Sequence, residues 1–149
     1  MITNLHHVAI LTSDIQEAVK YYVEFLGCPS PNVVQVDKPE MKLKSALLPI
    51  GPDGKTSLQI IEPCEGPGVK ELAQRGEGAL LEMAFEVDDA EEFSDRMAAR
   101  GVRPHNIAEQ PIEEKYITSK FGNRYYILPA NKMRGTRIEI VEVVKPAKQ

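Results

Sequence analysis

The strongest constraint on this chain is that it states one pattern twice. "HHVAILTSDIQEAVKYYVEFLG", starting at His6, and "LEMAFEVDDAEEFSDRMAARG", starting at Leu81, share an order of features. Each runs from an alternating apolar strand through an acidic turn into an amphipathic helix that stops at a glycine. Ser13 or Asp14 is placed to cap the first helix, and Asp88 or Asp89 the second. Ile15, Ala18, Val19, Tyr22 and Leu26 form the apolar stripe of one helix, and Ala90, Phe93, Met97 and Ala98 that of the other. Gly27 and Gly101 then end them. His7 falls opposite Glu82 in this alignment, an offset of 75 positions (82 − 7).

Strand-like segments follow each helix. The first half offers "NVVQV", "KLKSALLPI" and "SLQIIEP", with "PDG" at 52–54 as a turn between the last two. The second half offers "VRPHNI", a strand near "KYITS" running on to "RYYIL", and "RIEIVEV". The expected fold class is therefore α+β, built from two βαβββ modules in a single domain spanning 1–149. Module 1 covers about 1–63 and module 2 about 79–144. The linker, about 64–78, carries a short helix around Val69 to Arg75. Gln59 and Glu139 then match at an offset of 80 (139 − 59), and one loop-length change accounts for the difference from 75.

Period-two reading of the strands isolates four polar side chains. His7 shares a face with Leu5, Ala9 and Leu11, and Gln59 with Ile61. Glu82 sits inside "LLEMAFEV", and Glu139 shares a face with Val141 and Val143. Each stands on the first or last strand of a module among apolar neighbours. A lone buried carboxylate is costly, but an imidazole, an amide and two carboxylates can share a divalent cation. The two glutamates balance a 2+ charge, and the four ligands together leave about two positions for substrate oxygens on an octahedral ion. Lys115, Tyr116, Arg124 and Tyr125 lie in the loop and strand region suited to close a cavity; the first three are the expected substrate-binding residues.

Composition narrows the partners. The net charge of −4 gives no basic footprint for nucleic acid. No apolar run approaches the roughly 20 residues that span a bilayer. The N-terminus enters a strand pattern at once, without a charged-then-apolar leader, so a cytoplasmic protein is expected. Cys28 and Cys64, outside any CxxC, read as reduced thiols, and the tail "VKPAKQ" as a frayed terminus.

Together these segments resemble the vicinal oxygen chelate superfamily of glyoxalases, extradiol dioxygenases, bleomycin-resistance proteins and methylmalonyl-CoA epimerases. The likeness is greatest to the epimerase branch. "LHHVAILTSDIQEAVKYYVEFLG", "PEMKLKSALLPIG", "LQIIEP", "VKELAQRGEG", "FEVDD", "RGVRP" and "RIEIVE" follow its order and spacing. The resemblance implies a cupped mixed sheet around a metal held by His7, Gln59, Glu82 and Glu139, and a homodimer. It implies a small-molecule substrate with adjacent oxygens, such as an acyl-CoA thioester. The chemistry implied is epimerase- or isomerase-like proton abstraction next to a metal-chelated carbonyl. A glyoxalase-like lyase and a non-catalytic binding protein are the alternatives.

The chain departs from the epimerase pattern at three places. Glu82 stands where that branch has histidine, which makes the site more oxygen-rich and shifts preference from Zn²⁺ toward Mn²⁺, Mg²⁺, Co²⁺ or Fe²⁺, with Ni²⁺ also compatible. Ser45 stands where a glutamate base is found, leaving Glu139 or Glu82 as the catalytic carboxylate. "LPANK" replaces "HPK" in a later loop. Extradiol oxygenation needs a second histidine; His6 points to the other face and His105 lies in a strand or turn.

Overall fold

The computed structural model describes residues 1–39 and 41–144, so the tail beyond Val144 lies outside the described residues. The elements follow the duplicated order. The first module is β1 (Ile2–Leu11), α1 (Ile15–Leu26), β2 (Val34–Lys38), β3 (Met41–Ile50) and β4 (Thr56–Glu65). Helix α2 (Pro67–Arg75) follows. The second module is β5 (Leu80–Val87), α3 (Ala90–Ala98), β6 (Ile117–Thr118), β7 (Arg124–Leu128) and β8 (Ile138–Glu142).

The chain divides into two compact units: residues 7–82, and residues 1–6 with the chain from Met83 onward. The division falls inside β1 and inside β5, so each of these strands serves both units. In the unit of residues 7–82 the strand order is β2-β3-β4-β1. There β1 runs parallel to β4 with Ala9 opposite Gln59, while β3 runs antiparallel to β4 with Leu47 opposite Gln59. In the other unit the order is β1-β5-β8-β7-β6. Here β5 and β8 are parallel with Ala84 opposite Glu139, and β7 and β8 antiparallel with Ile127 opposite Glu139. The sheet pairings are thus mixed, as the βαβββ reading requires.

Helices α1 and α3 each cover a sheet face by burying an apolar stripe. Ile15 and Val19 of α1 pack on Ala46, Leu48 and Ile60, joined by Ala18, Tyr22 and Val23. Leu26, expected on this stripe, is instead 41% exposed. Under α3 the cluster is Val87, Ala90, Phe93, Val102, Tyr126, Leu128, Ile138 and Ile140. Ser94 is buried where Ala98 was expected, and Ala98 faces solvent. Burying a Leu, Ile or Phe contributes about 1.5–3 kcal/mol, so these two stripes are the main fold-defining contacts.

The helix starts follow the sequence. Asp14 accepts from the backbone N–H groups of Gln16 and Glu17, and Asp89 from that of Glu92. A second device is shared by both modules. Glu62 on β4 accepts from the Ile15 N–H at 2.9 Å and pairs with Lys44 at 2.6 Å. Glu142 on β8 accepts from the Ala90 N–H at 2.9 Å and lies 3.4 Å from Arg124. In each module a carboxylate on the last strand thus meets the first N–H of the helix, where the helix dipole favours negative charge.

Two strand expectations change. "VRPHNI" forms no strand; His105 makes only isolated bridges to Pro111 and Ile127. Pro104 has no N–H to offer, and the Asn106 side chain turns the chain by accepting from the N–H groups of Ala108 and Gln110. "KYITS" and "RYYIL" are two antiparallel strands, with Ile117 opposite Tyr125. Between them Ser119 and Asn123 close a turn that uses Gly122 at φ 87°.

Candidate metal centre

The site residues of the 7–82 unit lie on the sheet face that α1 leaves uncovered. Val8, Ile10, Ala46, Leu48, Leu58 and Ile60 alternate with them and face the helix side. On the open face, His7 lies across from Ser57, diagonal to Gln59. Ser45 on β3 is likewise diagonal to Gln59, since Ser45 opposes Ile61 and Leu47 opposes Gln59.

Glu82 reaches the same face through the pairing of β1 with β5. Asp88 donates to the Met1 carbonyl at one end of the pairing, and Gly78 donates to the Leu11 carbonyl at the other. Within the 7–82 unit His7 and Glu82 face each other directly. His7 Nε2 and Glu82 Oε1 are 4.0 Å apart, and the residues are only 5% and 2% exposed. The carboxylate that interrupts "LLEMAFEV" is thus buried facing an imidazole. Two donors bound to one ion at about 2 Å each lie within 4 Å of one another, so this spacing suits a shared cation.

Gln59 adds the third donor. Its Nε2 donates to Ser45 Oγ at 2.9 Å, and its Oε1 is buried without a hydrogen-bond partner among the described residues. A buried carbonyl oxygen costs free energy unless something accepts its lone pairs, and a divalent cation does so. His7, Gln59 and Glu82 therefore fit a hard or borderline divalent metal.

Glu139 lies in the other unit, on β8. It faces away from α3, because Ile138 and Ile140 on either side of it belong to the cluster under that helix. Tyr125 and Ile127 share its face. The structure does not bring Lys115, Tyr116 or Arg124 there. Lys115 Nζ pairs with Glu91 at 3.1 Å and Asp95 at 2.9 Å on α3, and these carboxylates raise its pKa. Arg124 shares the helix-side face with Tyr126 and Leu128, and its guanidinium lies over the Tyr116 ring at 4.8 Å. The role of Ser45 beside Gln59 was missed in the sequence, where Ser45 read only as an absent base. Its signal was position, two residues before the one opposite Gln59, and this needs the β3–β4 register.

Comparison with known proteins now places the chain. The sequence profile of the glyoxalase/bleomycin resistance protein/dioxygenase superfamily matches residues 6–117, and the protein belongs to that family. Among solved structures it is similar to the methylmalonyl-CoA epimerase of Streptomyces coelicolor in complex with 2-nitronate-propionyl-CoA. That match has 24% identity and a TM-score of 0.77, and covers 97% of this chain and 100% of the other. The Mycobacterium tuberculosis methylmalonyl-CoA epimerase matches with 24% identity and a TM-score of 0.76, covering 97% and 90% of the two chains. A selenomethionine methylmalonyl-CoA epimerase matches with 26% identity and a TM-score of 0.76, covering 97% and 98%. The fold is that of the vicinal oxygen chelate proteins. No curated protein sequence matches the chain. Among the described residues, no helix is long and apolar enough to cross a membrane.

Proposed function

We propose that the protein is a divalent-metal-dependent enzyme that moves a proton next to a carbonyl, with His7, Gln59, Glu82 and Glu139 as metal ligands. The observation that carries the reading is the buried His7–Glu82 pair beside the unpartnered Oε1 of Gln59. Glu139 is included because it matches Gln59 in the sequence repeat; within its own unit it faces away from α3.

A bound cation would polarise the substrate carbonyl and stabilise the negative charge that develops as the neighbouring proton leaves. The chain's own groups do the rest. His7 and Gln59 supply neutral donors, and Glu82 supplies a fixed negative charge. Ser45 is no base at neutral pH, so the proton passes to a carboxylate, Glu139 or Glu82. The extra charge of Glu82, relative to a histidine, raises the basicity of a neighbouring carboxylate. The substrate class is a small molecule with adjacent oxygens, an acyl-CoA thioester first among them given the structures this fold resembles. A homodimer, which the family resemblance implies, is part of the proposal; sedimentation at micromolar concentration showing monomer alone would remove it.

The decisive test is solvent exchange. Metal-loaded protein is incubated in D₂O with 2-methyl-branched acyl-CoA thioesters and with 2-oxo acids, and deuterium incorporation is followed by mass spectrometry. The proposal expects incorporation at the carbon next to the carbonyl, abolished by chelator and by His7→Ala. No incorporation into any member of either class, with stoichiometric metal bound, would overturn it.

A further inference from the structure

We infer that Ser45 is a positioning residue for the metal: its hydroxyl holds the far end of the Gln59 amide, so that Oε1 rather than Nε2 is presented to the cation. The inference rests on the metal site proposed above and assigns a task to a residue that carries no base chemistry.

The geometry is local to the 7–82 unit. Ser45 and Gln59 face the same side of adjacent antiparallel strands, two residues out of direct opposition. Their hydrogen bond, Nε2 to Oγ, is 2.9 Å long. The other end of the amide, Oε1, is buried and without a hydrogen-bond partner among the described residues. An amide has two unlike ends: the oxygen can ligate a cation, whereas the NH₂ group has no lone pair to give. When Oε1 is on the ion, the NH₂ group points back toward β3 and needs an acceptor. Ser45 Oγ is that acceptor. Remove the hydroxyl, and the bound state leaves a donor unsatisfied. The metal-free state escapes this penalty by turning the amide so that its NH₂ group faces the carboxylate side. The variant therefore resists metal binding without being poorly folded.

Leu47 and Val34 sharpen the point. Leu47 opposes Gln59 directly and Val34 opposes Ser45, and neither side chain has an acceptor to substitute for the hydroxyl. Partners that orient a metal ligand in this way typically change metal affinity 10–100-fold.

The test is a Co²⁺ titration, followed by the visible absorption of the bound ion, on protein stripped with chelator. Ser45→Ala is expected to weaken Co²⁺ binding about tenfold and to change the absorption envelope. Its melting temperature in chelator should match the parent. Ser45→Thr, which keeps the hydroxyl, is expected to restore affinity to within about threefold. Ser45→Ala should add nothing further in a Gln59→Ala background, because it acts through the amide. If His7→Ala and Glu82→Ala weaken Co²⁺ binding while Ser45→Ala leaves affinity and spectrum unchanged, the inference is overturned and the metal site stands. Additive effects of Ser45→Ala and Gln59→Ala would likewise overturn it. If His7→Ala and Glu82→Ala also leave binding unchanged, the metal site itself fails, and the inference with it.

Discussion

The last strands of the two modules can be laid side by side. Gln59 on β4 opposes Leu47, and Glu139 on β8 opposes Ile127. Three residues on, Glu62 and Glu142 each accept from the first N–H of their module's helix and each oppose a cation, Lys44 or Arg124. The structural device is kept in both copies while the ligand differs, amide in one and carboxylate in the other. A carboxylate has two equivalent oxygens, and rotation by half a turn changes nothing. An amide half-turned presents a donor instead of an acceptor. The module with the amide therefore needs a group to fix its sense, and Ser45 occupies that place. The matching position in the second module is Tyr125, two residues before Ile127.

The largest effect is expected from removing a ligand altogether. His7→Ala and Glu139→Ala should each lower metal affinity by more than about 100-fold, beyond what outer residues typically cause. Both should also abolish the rise in melting temperature that added metal produces. Metal content that survives both substitutions would rule out the site. Glu82→His comes next: the variant should retain metal but prefer Zn²⁺ to Mn²⁺ relative to the parent, in competition measured by elemental analysis. Equal preference in parent and variant would place Glu82 outside the metal's reach.

Making the two modules alike sharpens the contrast. In Gln59→Glu the ligand becomes symmetrical, so Ser45→Ala in that background should cost at most about twofold in Co²⁺ affinity, against about tenfold in the parent. A full tenfold loss there would mean that the hydroxyl serves something other than the sense of the amide.

Smaller still is the effect of the shared device. Burial pushes the Glu62 carboxyl up, but the Lys44 ammonium and the Ile15 N–H outweigh it, and its pKa is held below the ordinary 4.5. A folded-state value below the unfolded one contributes stability above pH 4.5, lost as pH falls through the folded value. Glu62→Gln should therefore cost about 1 kcal/mol at pH 7. The gap to the parent in urea unfolding should narrow steadily below about pH 4.5, and a gap that widens in acid would contradict the assignment.

The smallest change belongs to Tyr126. Its hydroxyl is fully buried with no hydrogen-bond partner among the described residues, and burial pushes its pKa up. Tyr126→Phe should leave stability unchanged or raise it by up to about 1 kcal/mol, because it removes an unsatisfied group and little volume. A loss beyond 1 kcal/mol on thermal unfolding would reveal a partner for that hydroxyl.

Local signals made the repeat, the caps at Asp14 and Asp89, and the turn at "PDG" readable, because each is decided within a few residues. The open-face position of His7 and Gln59 was readable too, since period two fixes a face once the strand is known. What escaped depended on register between strands. Lys115, Tyr116 and Arg124 looked like cavity residues, but only the pairing of β7 with β8 shows Arg124 on the helix side and Tyr125 on Glu139's side. The spacing of Gln59 to Glu62 and of Glu139 to Glu142 was visible as a repeated three-residue step, but its meaning needed the helix starts as well. "VRPHNI" misled because Val102 is buried, as a strand residue would be, while Pro104 and Asn106 prevent the ladder.

The sharing of β1 between units has a consequence for synthesis. Residues 7–82 are continuous, so every partner that unit needs is present soon after residue 82 leaves the ribosome. The first residues of β1 are different. Thr3 meets Glu86, 83 positions later, and Met1 meets Asp88. At ordinary elongation rates, roughly 5–20 residues per second, this opening segment waits on the order of 4–16 seconds for its hydrogen-bonding strand. Throughout that interval it trails from a growing chain as an unpaired β edge, the kind of edge that recruits neighbours.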